Sequence, residues 1–247
     1  MIPLTIVSLL PHLLGNNGDA ANARVLAQRQ RWSGGDATVV EVTTEADLPD
    51  RVDAVVIGTG TDSDLLEARD ALLALAAPLR DWLGTGVPIL AVGTGWELLS
   101  WGVQLGDGAV VDGLGVVAGR AVPRGARATG DLVVASRHGR LIGFENHARD
   151  YVGAEGSPLG RVESGVGNGT ALGSAFEGVH SGAFIGTHLH GPILALNPGL
   201  ADYLLNVARG RAELAADGGL SAHTVMADDI ARAARNQIAV RLGLVTD

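Results

Sequence analysis

A chain of 247 residues, 47% of them apolar, can bury a substantial core, and because its composition shows no linker a single domain over 1–247 is expected. A formal charge of −9 without any run of basic residues excludes nucleic acid and anionic membrane surfaces as partners, since both demand a concentrated positive patch. Cysteine is absent and all 18 basic residues are arginine, which removes disulfides, thiolate nucleophiles, cysteine zinc sites, a P-loop lysine and Schiff bases together.

The opening MIPLTIVSLLPHLLG is apolar but lacks a basic leader region and a small-residue cleavage site, so a first buried strand is expected rather than a signal peptide. No apolar run approaches the roughly 18 residues of a membrane span. Membrane insertion is not expected, and a cytoplasmic location is. Val/Ile-rich runs recur at 3–10, 37–42 (ATVVEV), 53–58 (DAVVIG) and 88–92 (PILAV). They are continuous rather than alternating, as strands covered on both faces are. Helical patterns lie between them. One spans residues 20–32 and puts Val25, Leu26 and Trp32 on one side; the next runs from Ser63 with Leu65, Leu72, Leu75 and Leu79, and Pro78 breaks or restarts it. Strands alternating with helices imply right-handed crossovers and a parallel sheet.

Beyond Gly102 the texture changes. Residues 103–187 carry many glycines and short β-like pieces, such as 130–136, 140–146 and 182–188, which predict an antiparallel or mixed extension of the sheet. Helices return from about residue 198, where Asn197-Pro198 reads as a cap and first-turn proline. In the last helix Met226, Ile230, Ala234 and Ile238 form an apolar stripe, with Asp228 and Arg232 placed to pair on the opposite side. That helix can dock on its own domain or on a partner.

In open parallel sheets, ligands gather at the carboxyl ends of strands. Five segments are placed there: GNNGDAAN (15–22), GTGTD (58–62), GTGWE (93–97), FENH (144–147) and THLHGP (187–192). Backbone amides at Gly58 and Gly60 suit an anion or an oxyanion, but the third glycine of a dinucleotide fingerprint is missing, so a tight turn is the main reading. His188 and His190, two apart, share a face if the strand continues through them. A metal would need His147, His180 or Glu145 as further ligands, and neither a metal nor another cofactor is expected. His190 stays open between a general acid/base and a hydrogen-bonded core histidine, and Asp19 between a helix cap and a group that orients a histidine. The stretch VPILAVGTGWELLS (87–100) has the strand, glycine-flanked turn and helix start of a nucleophile elbow, with no nucleophile at the tip.

These segments, with ATGDLV and GVGNG, resemble the GatD family from about residue 4 to about residue 208. These are class I glutamine amidotransferase-like proteins related to the glutaminase domains of cobyric acid and cobyrinate amide synthases. The resemblance implies a three-layer α/β, flavodoxin-like fold with a mostly parallel central sheet. It also implies a Mur-ligase-like partner, MurT, and a division of labour in amidating the D-glutamate of lipid II. The GatD subunit hydrolyses glutamine and the partner uses ATP. An elbow cysteine attacks the amide, a histidine shuttles the proton and backbone amides hold the oxyanion. Where the family elbow resembles C-G-G-Y-Q, this chain has Gly93, Thr94, Gly95, Trp96 and Glu97, and Leu65 stands where the G-G-G-x-D-x-x-Q turn ends in glutamine. Asp19, Asn22, Arg127, the FENH run with Asn146 and His147, and His190 match better. Arg127 resembles the clamp for the glutamine carboxylate. A non-catalytic partner of a MurT-type amide synthetase is therefore expected, with His190 and Asp19 vestigial and Gly93 in the nucleophile's place. The alternatives are an active glutaminase subunit using Thr94, and a sensor holding glutamine or a related amino acid at Arg127.

Overall fold

A computed structural model describes residues 3–169, 176–211 and 221–246. The four predicted runs become β1 (Leu4–Leu9), β2 (Ala37–Val42), β3 (Ala54–Ile57) and β4 (Ile89–Val92). Between them lie α1 (Ala21–Trp32), α2 (Leu65–Ala74) and α3 (Ala76–Gly84), the last two separated at Leu75 with Pro78 in the opening turn of α3. A proline there interrupts no intrahelical bond, because first-turn amides have no partner within the helix. After β4 the chain turns into α4 (Thr94–Leu99).

Alternate positions of these strands serve opposite faces. Leu4, Ile6, Ala54, Val56, Leu90 and Val92 enter the core under α1, whereas Val7, Leu9, Val55, Ile57, Ile89 and Ala91 enter the core under α2, α3 and α4. A strand buried on both faces has no polar side to show, which is why β1, β3 and β4 read as continuous in sequence, whereas β2 lies at the sheet edge with Thr38 and Glu41 exposed. On the α1 side, α5 (Ile193–Leu196) and α6 (Pro198–Arg211) add Leu194, Leu200, Leu204 and Leu205. The result is a three-layer α/β arrangement.

The remaining strands are β5 (Gly102–Gln104), β6 (Val110–Asp112), β7 (Arg120–Ser136), β8 (Gly139–Val152), β9 (Gly160–Ser164), β10 (Phe176–Glu177), β11 (Val179–Ser181) and β12 (Phe184–Thr187). Only two of them extend the first sheet, whose order is β11-β12-β4-β3-β1-β2, with β11 antiparallel to β12 and the other pairings parallel. The others form a second sheet, order β10-β9-β7-β5-β6, with β8 paired on β7. The glycine-rich region is thus largely a sheet of its own. Its long β7–β8 hairpin satisfies its ladder locally and has no need of the edge of the first sheet. One isolated bridge joins the hairpin to the loop after β12: the His190 amide donates to the Phe144 carbonyl at 2.8 Å.

Two expectations near the C-terminus are corrected. Asn197 does not cap α6 with its side chain; it clamps β8, accepting from the Ile142 amide at 2.9 Å and donating to the Ile142 carbonyl at 2.8 Å. The last helix, α7 (Ala222–Arg241), starts at a Ser221 cap whose Oγ accepts the Thr224 amide, and it docks on its own chain. Asp228 does not pair with Arg232. It faces α1 and binds the buried Arg29 at 2.6 Å, while Arg232 pairs with Asp229. The inward face therefore runs through Thr224, Asp228, Ala231 and Ala239, leaving Met226 and Ile230 exposed at its edge. Among the described residues, no helix is long and apolar enough to cross a membrane.

Candidate functional site

The elbow predicted at 87–100 is present. β4 ends at Val92, Gly93 takes φ +51° and ψ −121°, and α4 begins at Thr94. This left-handed turn is held by Gly93 N–H donating to the Thr187 carbonyl and by the Glu97 amide returning to the Gly93 carbonyl, both at 2.9 Å. A β-carbon placed on Gly93 would lie 2.5 Å from Thr59 Oγ1 and 2.8 Å from His190 Cε1, closer than packed atoms approach. Thr59 closes the turn further. Its hydroxyl accepts the Thr94 amide at 3.0 Å and reaches Thr94 Oγ1 at 3.0 Å, while Thr94 Oγ1 donates to the Gly60 carbonyl at 3.1 Å. The amide just past the tip and the neighbouring hydroxyl are thus both engaged inside the protein.

Asp19 does not cap α1, whose N-cap is Ala20 without a side-chain bond. Its fully buried carboxylate faces His190 instead, with Oδ2 3.1 Å from the ring Nδ1, and Oδ1 accepts the Gly191 amide at 2.7 Å. An ionised carboxylate can only accept, so in a neutral ring this contact selects the tautomer with the proton on Nδ1 and leaves Nε2 as the acceptor. Nε2 is buried and has no hydrogen-bond partner among the described residues. Burial pushes the Asp19 carboxyl above its ordinary value, while its bonds to His190 and Gly191 pull against that rise. Asn22 ties the two loops together, donating to the carbonyls of Asp19 and Gly191 at 2.9 and 3.0 Å and accepting the Leu194 amide at 3.0 Å.

The elbow and the His190–Asp19 pair open on a cleft of about 480 Å³. Gly60, Gly93, Thr94, Arg127, Asn146, His147 and His190 all line it. Gly58 does not: it packs beneath, where a β-carbon would meet the Leu14 carbonyl at 2.2 Å and Asp19 Cβ at 2.9 Å. Arg127 is exposed at the mouth, its Nε donating to Asn146 Oδ1 at 2.7 Å. One turn into α4, Glu97 is only 2% exposed and accepts from Arg149 Nε at 2.9 Å, and Arg149 also binds Asp62 at 2.7 Å.

The histidines separate. β12 ends at Thr187, so strand alternation does not carry through to His188 and His190. His188 is sealed from solvent, stacked on His147 with ring centroids 4.1 Å apart and tilted against Trp96. His180 lies elsewhere, among Arg137, His138 and Tyr203. Glu145 is occupied by the Val166 and Gly167 amides at 2.8 and 2.9 Å. Among the described residues, no group of three or more metal-ligating side chains gathers. Leu65, standing where the resemblance calls for glutamine, is buried in the core under α2.

Sequence reading missed Thr59 and the pairing of Glu97 with Arg149. The first had a signal, because Thr59 takes the place of the middle glycine in the three-glycine turn. The second had only the acid at position 97.

An elbow at the end of a central parallel strand, with a histidine–aspartate pair beside its tip and a polar cleft in front of both, defines a class I glutamine amidotransferase-like protein. Residues 6–198 match the CobB/CobQ-like glutamine amidotransferase domain, and the chain belongs to that family. It is 32% identical over 211 residues to the Staphylococcus aureus (strain N315) lipid II isoglutaminyl synthase (glutamine-hydrolyzing) subunit GatD, covering 84% of this chain and 85% of that one. The subunit of the same name from Streptococcus pneumoniae (strain ATCC BAA-255 / R6) is 29% identical over 210 residues, covering 83% and 80%. A crystal structure of a glutamine amidotransferase aligns with TM-score 0.53 at 22% identity, over 82% of this chain and 98% of that one. PurLQS from Thermotoga maritima aligns with TM-score 0.56 at 15% identity, over 83% and 99%. Both show the same fold.

Proposed function

We propose that this chain is a pseudo-glutaminase: a non-catalytic GatD-like subunit of a MurT-type, ATP-dependent amide synthetase acting on lipid II or a related carboxylate in the cytoplasm. One observation carries the reading. The position from which a nucleophile would attack is Gly93, and Thr59 closes over it. Acyl-enzyme formation needs an attacking atom, and hydrogen supplies none. An Nε2 lone pair on His190 can accept a proton, but no thiol is there to give one. Covalent turnover of glutamine through the elbow is then absent rather than slowed, and an oxyanion hole alone restores only a small part of the rate. Here even the amide beyond the tip is bonded to Thr59. Thr94 is a poor substitute nucleophile, because its hydroxyl donates to the Gly60 carbonyl.

Chain 1–247 is read as one domain, since both core clusters draw on the same four strands, β1 to β4. The retained cleft, with Arg127 at its mouth and His190 held by Asp19, supports binding of an amino acid without cleavage. The assay is glutamate release from glutamine by the purified chain, alone and with its co-expressed Mur-ligase-like partner. We expect none in either case, with amidation by the complex driven by added ammonium. Glutamate release that His190→Ala or Thr94→Ala abolishes would establish the active-subunit reading instead.

A further inference from the structure

Two departures from the family's pattern meet in space. The elbow has lost a side chain at Gly93, and the turn across from it has gained one at Thr59. The two crowd one another: a β-carbon at position 93 would stand 2.5 Å from Thr59 Oγ1 and 3.0 Å from Thr59 Cβ, with His190 Cε1 at 2.8 Å on the other side, so Thr59 makes the nearest contact and the imidazole must also give. Thr59 is 6% exposed and lines the cleft, and its hydroxyl is held at the elbow by its bonds to the Thr94 amide and Thr94 Oγ1. Its hydroxyl also holds the Thr94 amide, the donor that would otherwise face an oxyanion formed at the tip.

We infer that Thr59 is an internal plug that fills the nucleophile's space and covers the oxyanion amide, so that replacing Gly93 alone does not reopen the elbow. At the tip itself two positions, Gly93 and Thr59, must change together before a thiol can be seated. The assignment rests on reading the elbow as a retired glutaminase site, but its test does not depend on glutamine.

The chain has no cysteine, so a thiol introduced at the elbow is unique and every label reports on it. Alkylation by iodoacetamide is followed by intact mass for Gly93→Cys and for Gly93→Cys/Thr59→Gly. In that step the thiol proton passes to His190 Nε2, the sulfur attacks the methylene carbon, a C–S bond forms, the C–I bond breaks and iodide leaves. The double variant is expected to react about tenfold or more faster than the single, and to melt higher. Adding His190→Asn to the double variant should move its pH profile up toward that of a free thiol. Equal alkylation rates and equal melting temperatures for single and double variants overturn the inference.

Should Gly93→Cys fail to fold while the double variant folds, the clash is demonstrated directly. Should both fail, Thr59→Val in the native chain decides. It keeps the volume and removes the acceptor, so the Thr94 amide should exchange its hydrogen about tenfold or more faster; unchanged exchange overturns the assignment. Glutamine turnover by the double variant is the separate test of the parent reading. Rapid alkylation without glutamate release keeps Thr59 as the plug and counts against glutamine as the ligand of the cleft.

Discussion

Removing either partner of the Glu97–Arg149 pair should destabilise the fold far more than removing both. Glu97 is 2% exposed and the Arg149 side chain 10%, so each charge depends on the other for solvation. Arg149→Ala strands the Glu97 carboxylate, and a broken buried pair costs about 3–5 kcal/mol. At about 2–4 °C per kcal/mol for a chain of this length, the melting temperature should fall by about 6–20 °C. Glu97→Gln returns the family's residue at that position and keeps a neutral acceptor, so the loss should be nearer 1.5–3 kcal/mol, roughly the worth of a hydrogen bond to a charged group. Asp62 is 65% exposed, and Asp62→Asn should cost about 0–1 kcal/mol. Glu97→Leu/Arg149→Leu should cost less than Arg149→Ala alone, giving a large coupling energy in a double-mutant cycle from urea melts. Single variants that each cost under about 1 kcal/mol, or a double variant that costs their sum, would refute the reasoning.

Arg29→Ala should loosen α7 by about 1–3 kcal/mol, a figure discounted because Asp202 and Asp228 are partly exposed; amide exchange in α7 that stays as slow as in the native chain counts against it. Trp96→Ala removes a fully buried ring stacked on Tyr151 at 3.8 Å, and a loss of about 3–5 kcal/mol should appear in urea melts. Burial, then the Arg137 and His138 charges, lower His180 from 6.5 to about 4. Its folded form disfavours the proton, so this contribution to stability is complete above pH 6.5 and is lost as pH falls toward 4. His180→Phe should flatten stability across that window, and an unchanged slope would remove His180 as its source.

The central strands were legible because each is covered on both faces, so burial wrote a continuous apolar run into the chain. The residues of the cleft were legible for a related reason: strand ends in a parallel sheet converge, and the segments around Asn16, Gly60, Gly93, His147 and His190 all follow strands or lie in the hairpin that reaches them. What escaped was choice of partner. Nothing local in DAVVIGTGTD says that the Thr59 hydroxyl meets the Thr94 amide 35 residues away, or that Asp228 prefers Arg29 to its helical neighbour Arg232. The second sheet escaped because short strands with turn residues read alike whether they extend one sheet or build another. Asp19 illustrates the reverse case, where local capping chemistry suggested a bond that tertiary geometry replaced with His190.

The single backbone bond between His190 and Phe144 has a mechanical consequence. It fixes the backbone of His190 to β8, 14 residues long, while Asp19 holds the ring. Asn146, His147, Ala148 and Arg149 of the same strand line the cleft, so the backbone that anchors His190 also supplies one wall of the site.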